Sequence, residues 1–359
     1  MSGSSRRPTL STVAQRCGYS VNTVSRALRG DSRLPQSTIQ KIREAADEVG
    51  YIPNRLAASL RSSESHVVAI IIEDIENPHY SHLMARIELE LQARGYNVII
   101  LCNNRSLTTE KELAALAVSY SVSGVLLFPQ DSVGTADGNT SAVQLLQANH
   151  IPVVIVDRAI QQQDIDCVRV DDEAGGYLAG KTLAQLGHQK YLYLAGPQNN
   201  TSQPLRQKGF LRAVDEFVSS DQKSVRIIEN TVSCQALHEG RITRLLTPLN
   251  YSALVCFNDE VAYDCMQALQ EEGYQIPQDL SICGFDSIGS DIRFLPRLSS
   301  IAHAKGYSIA EYAVKALMNR IEHPAAARQD IVLPVSYYDG GTCAGPAGPV
   351  RLHRRPSDV

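Results

Sequence analysis

The chain has no tryptophan, so any stacking on a planar ligand must come from its six phenylalanines and fifteen tyrosines. It also has no long apolar run. None is longer than the six residues of VVAIII at 67–72, far too short to cross a bilayer. Nothing near MSGSSRRPT has the apolar core of a secretory signal, so a cytoplasmic protein is expected. Eight cysteines are present, at 17, 102, 167, 234, 256, 265, 283 and 343, yet none forms a C-x-x-C pair. Several lie inside apolar runs, as Cys256 does in ALVCF and Cys283 in SICGF. They read as buried thiols in a reducing compartment, which excludes a disulfide framework and a zinc-ribbon set. Also missing are a G-x-S-x-G elbow, a phosphate-cradling P-loop and a Gly-x-Gly-x-x-Gly turn after the first strand. No catalytic set, metal site or cofactor is expected. The G-G-x-x-x-G at 175–180 lies in a helical pattern and reads as close helix packing.

A strong net charge is lacking too, because two opposite charges hide in the total of −4. Residues 1–62 hold ten Lys/Arg and four acids, or +6, and the remainder holds 24 and 34, or −10. A basic head gains affinity for nucleic acid by displacing phosphate counterions, whereas an acidic body is repelled by it. The head therefore predicts duplex DNA as a partner.

The head's pattern is helical. TLSTVAQRCGYS sets Leu10, Val13 and Ala14 on one face and stops at Gly18. SVNTVSRALRG has Ser20 as N-cap, buries Val24 and Leu28, and ends at Gly30. This is a helix-turn-helix, and it leaves Val21, Asn22 and Arg26 facing outward near the start of the second helix, where base edges are read. A third helix over 35–51 buries Ile39, Ile42, Ala46 and Val49, with Pro35 in its first turn. NRLAASLRSS (54–63) is too short to stay helical alone in water. Arg55 and Arg61 suit phosphates and Leu60 suits an apolar wedge, so the segment reads either as a linker or as a hinge that folds on DNA.

From residue 67 onward, short β-branched runs alternate with amphipathic helices, which predicts a parallel α/β body. The length suggests two sheets, split near 160–168. Ligands of such sheets bind beyond the carboxyl ends of the strands. Asp74, Phe128, Asp157, Asn258, Asp259 and Asp286 are the strand-end candidates, with Asn77, His79 and Tyr80 in the loop after the first strand. Asp259 is read as a helix N-cap. Buried acids need donors, and sugar hydroxyls supply them.

TLSTVAQRCGYSVNTVSRALRG, EVGYIPNRLAASLR, DIENPHY, GHQKYLYLAGP, FNDE, PQDLSICGFD and PRLSSI, in that order over residues 9–340, closely resemble the lactose/galactose repressor (LacI/GalR) family. The resemblance implies a two-lobed body like the periplasmic sugar-binding proteins behind the helix-turn-helix head and a hinge helix. It implies a homodimer on a pseudo-palindromic operator, controlled by a sugar-like effector between the lobes. The family's base-reading positions fall on Val21, Asn22 and Arg26, its phosphate neighbours on Thr23 and Ser25, and its hinge positions on Asn54, Ala57 and the intercalating Leu60. Its effector contacts fall on Asp157, Arg206, Asn258, Asp286 and the 77–80 loop. The family usually carries serine at Pro35, often a second acid at Ser287, and commonly paired phenylalanines at His79-Tyr80. The expected division is a head over 1–52, a hinge over 53–64 and a body over 65–341. Lobe 1 would hold about 65–162 and 290–325, and lobe 2 about 163–289 and 326–341, ahead of a disordered tail over 342–359. The tail has no leucine heptad for a tetramerising helix, so a dimer is expected. A sugar-binding transport component and an α/β enzyme acting on a sugar are the rival readings. The basic head opposes the first and the missing catalytic motifs oppose the second.

Overall fold

The computed structural model describes residues 8–52, 65–72, 74–102, 107–129, 141–160, 165–197, 200–229, 251–288 and 296–346. Two compact units are present, Met1–Ser65 and His66–Val359.

The first unit holds α1 (Leu10–Cys17), α2 (Val21–Leu28) and α3 (Gln36–Glu48) around Val13, Val24, Ala27, Ile39 and Ile42. Each helix begins where the sequence offers a reason. Thr9 and Thr12 exchange hydrogen bonds in a capping box on α1, and Ser20 Oγ accepts from Thr23 N to cap α2. Pro35 occupies the cap position of α3 and supplies no side-chain hydrogen bond. Gly18 ends α1 at φ +75°, a conformation that glycine adopts without strain.

The second unit contains two six-stranded sheets of matching topology. In lobe 1 the order is β2-β1-β3-β4-β5-β11, and in lobe 2 it is β7-β6-β8-β9-β10-β12. The lobe 1 strands are β1 (Val67–Ile72), β2 (Asn97–Cys102), β3 (Gly124–Leu127), β4 (Val153–Asp157), β5 (Asp166–Val170) and β11 (Asp330–Leu333). The lobe 2 strands are β6 (Lys190–Leu194), β7 (Ser224–Ile228), β8 (Ala253–Cys256), β9 (Ser281–Phe285), β10 (Ser299–His303) and β12 (Val335–Tyr338). All pairings are parallel except β10 with β12. Such strands are buried on both faces, and β1, β3, β8 and β9 are apolar almost throughout.

Helices cover both faces of each sheet. On lobe 1, α4 (Pro78–Gln92) and α10 (Ile309–Glu322) pack on one face, with α5 (Leu107–Ser119) and α6 (Ser141–Ala148) on the other. On lobe 2, α7 (Asp172–Gln185) and α8 (Ser202–Phe217) cover one face and α9 (Asp259–Glu271) the other. The G-G-x-x-x-G stretch does serve helix packing. A Cβ on Gly176 would meet Arg206 O at 1.9 Å, and one on Gly209 would meet Glu173 O at 2.0 Å. Among the described residues no helix is long and apolar enough to cross a membrane.

The chain passes between the lobes three times, each time later than the expected boundaries. Residues 166–170 form β5 of lobe 1, in register with β4 and not with lobe 2. Residues 299–303 form β10 of lobe 2, so the return to lobe 1 falls between His303 and the start of α10. Residues 330–333 form β11 of lobe 1, and only after Pro334 does the chain enter β12. β5 and β10 each pair with the strand just before them, β4 and β9, so each sheet gains one more strand before the chain crosses. β11 is an edge strand whose partner β5 lies far back in the sequence. Residues 342–344, expected to belong to a disordered tail, are instead bonded to β9. Thr342 Oγ1 donates to Ile282 O at 2.6 Å and Ala344 N donates to Ser281 Oγ at 3.0 Å.

Candidate functional site

In the head, α2 presents Val21 at 46% exposure with Asn22 exposed beside it, while Thr23, Ser25 and Arg26 are half-buried. Arg26 is tethered: its Nε lies 2.9 Å from Asp31 Oδ2. Arg33 grips the same carboxylate through Nε at 2.9 Å and Nη2 at 2.8 Å. Arg33 and then Arg26 hold the Asp31 carboxyl well below the usual carboxylate range. The guanidinium expected to face base edges is thus held in one orientation by a turn residue, Asp31, that sequence reading missed. Asn54, Ala57 and Leu60 lie outside the described residues.

In the body, the strand ends of both lobes meet around a cavity of about 60 Å³. Asn77 caps α4 through Oδ1, which accepts from His79 N at 2.9 Å. Its Nδ2 donates across the lobes to Glu260 Oε2 at 3.1 Å. Thr201 Oγ1 makes a second crossing bond, to Ala159 O at 2.7 Å. Asn258 caps α9 with Oδ1 on Val261 N at 3.0 Å, so the donor it can offer a ligand is its amide N–H₂. Arg158 Nη2 donates to Tyr80 Oη at 2.8 Å and Nη1 to Pro129 O at 3.1 Å.

Arg206 anchors the lobe 2 wall. It is 5% exposed, and donates to Asp172 Oδ1 at 2.7 Å, Phe257 O at 2.8 Å and Asp286 Oδ1 at 3.5 Å. The guanidinium also lies over the rings of Phe285 and Phe257, at 4.6 and 5.2 Å. Burial works against its charge, but Asp172 and Asp286 outweigh burial and raise its pKa. Asp157 and Asp286 leave their strands at φ +76° and +97°. Such backbone is costly for residues other than glycine and collects at functional sites.

His79 Nε2 faces Asp157 Oδ1 at 3.4 Å. Burial would lower its pKa, yet Asp286 and Asp157 prevail and push it up to about 9. For Asp157 burial again opposes the charge, and His79 wins, taking it down to about 2. A raised histidine stabilises the fold fully below its ordinary value of 6.5, and this stabilisation is lost as pH climbs through about 9. The unfolding free energies of wild type and His79→Gln should therefore converge over that window. A constant difference would show that His79 carries no charge in the fold.

Cleft residues expected from sequence and found lining the cavity are Asn77, His79, Tyr80, Asp157, Arg206, Asn258 and Asp286. Phe128 does not line it. At 2% exposure it lies behind Tyr80, with ring centroids 5.6 Å apart and the rings edge to face. Asp74 turns back on its own loop, accepting from Glu76 N. The N-cap of α9 is Asn258 and not Asp259, which is fully buried and accepts from Ser300 Oγ at 2.7 Å and Ile288 N at 2.8 Å. Sequence reading missed Arg158, Asn200, Ser202, Phe257 and Glu260. Arg158 and Phe257 directly follow the ends of β4 and β8, so reading one residue further would have found them. Asn200 lies well past β6, and Ser202 and Glu260 lie in the first turns of α8 and α9.

A helix-turn-helix unit together with a two-lobed body that closes on a charged cleft defines the class of ligand-responsive DNA-binding regulators. The chain belongs to the lacI family of bacterial regulatory proteins. That family's profile matches residues 9–54, and the profile of periplasmic binding proteins and the sugar-binding domain of the LacI family matches 65–339. It is a DNA-binding transcription regulator. It is 27% identical over 325 residues to the transcriptional repressor PurR of Mannheimia succiniciproducens, covering 90% of this chain and 95% of that one. It is 29% identical over 329 residues to the regulator DegA of Bacillus subtilis, covering 91% and 96%. Among solved structures it is similar to the Lac repressor dimer bound to operator and the anti-inducer ONPF. There the TM-score is 0.79 at 24% identity, with 94% of this chain and all of that chain covered. It is also similar to a LacI-family regulator from Enterococcus faecium with bound ribose, at a TM-score of 0.65 and 29% identity, covering 78% and 99%.

Proposed function

We propose that the chain represses transcription from a pseudo-palindromic operator as a homodimer, and that a sugar or sugar derivative in the inter-lobe cleft controls it. The observation that carries this is the polar closure of the cleft by both lobes, as in the Asn77–Glu260 bond. A ligand that replaces such bonds contacts both lobes, so it favours one lobe arrangement over another, and only that preference shifts an equilibrium. The bound ribose in the Enterococcus faecium regulator supports a sugar, and the operator-bound Lac repressor dimer supports the assembly. The protein then works in the cytoplasm, on the nucleoid, without turning its effector over.

On DNA, Val21, Asn22 and Arg26 meet base edges and Thr23 and Ser25 meet phosphates. Asn54, Ala57 and Leu60 belong to the hinge, with Leu60 as the wedge. The roles follow from chemistry: Val21 suits a thymine methyl, Asn22 an adenine and Arg26 a guanine. Operator selected from random duplexes, followed by anisotropy titration of the full chain, tests the proposal. Affinity should fall steeply with salt. Asn22→Ala should cost about 1–3 kcal/mol of discrimination at one A·T position. A protein that prefers no duplex over random competitor, with or without sugars, overturns the reading.

A further inference from the structure

His79 and Asp286 are not only part of the cleft wall; they also form one side of a second, larger chamber of about 280 Å³. The two chambers differ in charge. In the first, Asp157, Asp286 and Glu260 stand against His79, Arg158 and Arg206, and every one of these cations already has a carboxylate within 4 Å. Such a lining suits an uncharged polyol. Among the described residues, the second chamber is lined by His79, Arg86 and one acid, Asp286, which Arg206 already engages, with the rings of His82 and His303 beside them.

The backbone adds to this imbalance. Pro78 and His79 open α4, and Ser308 and Ile309 open α10, so two helix N-termini border the same space. The first turn of α4 contains no acid. Ser308 Oγ accepts from Glu311 N at 3.3 Å and caps α10, whose first-turn acid Glu311 is paired with Lys315. Helix N-termini and a guanidinium together favour a negative group. Arg86 Nε donates to His82 Nε2 at 3.3 Å, so His82 orients the guanidinium and leaves its terminal N–H pair for bidentate use. Tyr338 Oη donates to His303 O at 2.8 Å and fixes the opposite wall.

Building on the effector reading of the cleft, we infer that the effector is an acidic sugar derivative. Its hydroxyls fill the first chamber, and its phosphate or carboxylate docks in the second against Arg86, His303 and the two helix N-termini.

The test uses the full chain. Inorganic phosphate is titrated at constant ionic strength against chloride while the melting temperature is followed. Paired ligands are then compared by calorimetry: glucose, fructose and ribose against their phosphates, and glucose against gluconate and glucuronate. Phosphate should raise the melting temperature saturably, and at least one acidic sugar should bind about tenfold or more tightly than its neutral parent. Arg86→Met should remove that preference. Arg86 is exposed, so the ligand-free melting temperature of the variant reports whether it folds. Neutral parents that bind as well as their acidic partners overturn the inference and leave the cleft reading intact, as does a preference that survives Arg86→Met. If no member of either set binds or alters operator affinity, both readings fall.

Discussion

Gly176→Ala is expected to destabilise the body by about 3 kcal/mol or more, at the upper end for overpacking. The added Cβ would stand 1.9 Å from Arg206 O and 2.7 Å from its carbonyl carbon, and both are backbone atoms of α8. A side chain could swing away, but a helix backbone cannot. Relief requires α7 and α8 to separate, and these helices carry Asp172 and Arg206. The effector response should therefore be lost together with stability. Gly306→Ala is the matched control. It has nothing within 4 Å of the added carbon and suffers only its φ of +87°, a cost of about 1–2 kcal/mol. Urea unfolding of the two variants checks the contrast, and equal midpoints would disprove the close crossing.

Arg206→Ala should cost about 3–5 kcal/mol, because it strands a buried carboxylate. Asp172 is 3% exposed and has Arg206 Nε at 2.7 Å. The variant also loses the donor to Phe257 O and the cation over two rings, so effector control should disappear. The double variant Arg206→Ala/Asp172→Ala separates the two losses. Removing the stranded acid should recover part of the stability while effector control stays absent. If the double variant regains control, Arg206 is only a structural strut. If stability does not recover, the damage lies elsewhere than in Asp172.

These two variants mark where the sequence could be read and where it could not. The glycine spacing at 175–180 lies within one helix, and its meaning as a packing face was legible because residues three and four apart share a face. Its partner Gly209, on another helix, was not. Arg206 was legible as a cleft residue through the resemblance, but Asp172, its closest partner, comes 34 positions earlier on a different helix. Asn258 and Asp259 show the same limit at shorter range. Either side chain can cap a helix, and only the packing against Ser300 and Ile288 removes Asp259 from that role.

The sequence by itself determined the head, with its caps and its glycine stop, the alternation of strand and helix in the body, and most of the strand ends that line the cleft. Each of these rests on patterns of period two or 3.6, or on a cap a few residues away. Only the tertiary structure decided which lobe owns β5, β10 and β11, that Phe128 lies behind the cleft, and that residues 342–344 are bonded to β9. β5 and β10 extend the sheet of the strand before them, while β11 and β12 close the two sheets against β5 and β10, strands written earlier in the chain. No local pattern says which lobe such a crossing segment joins.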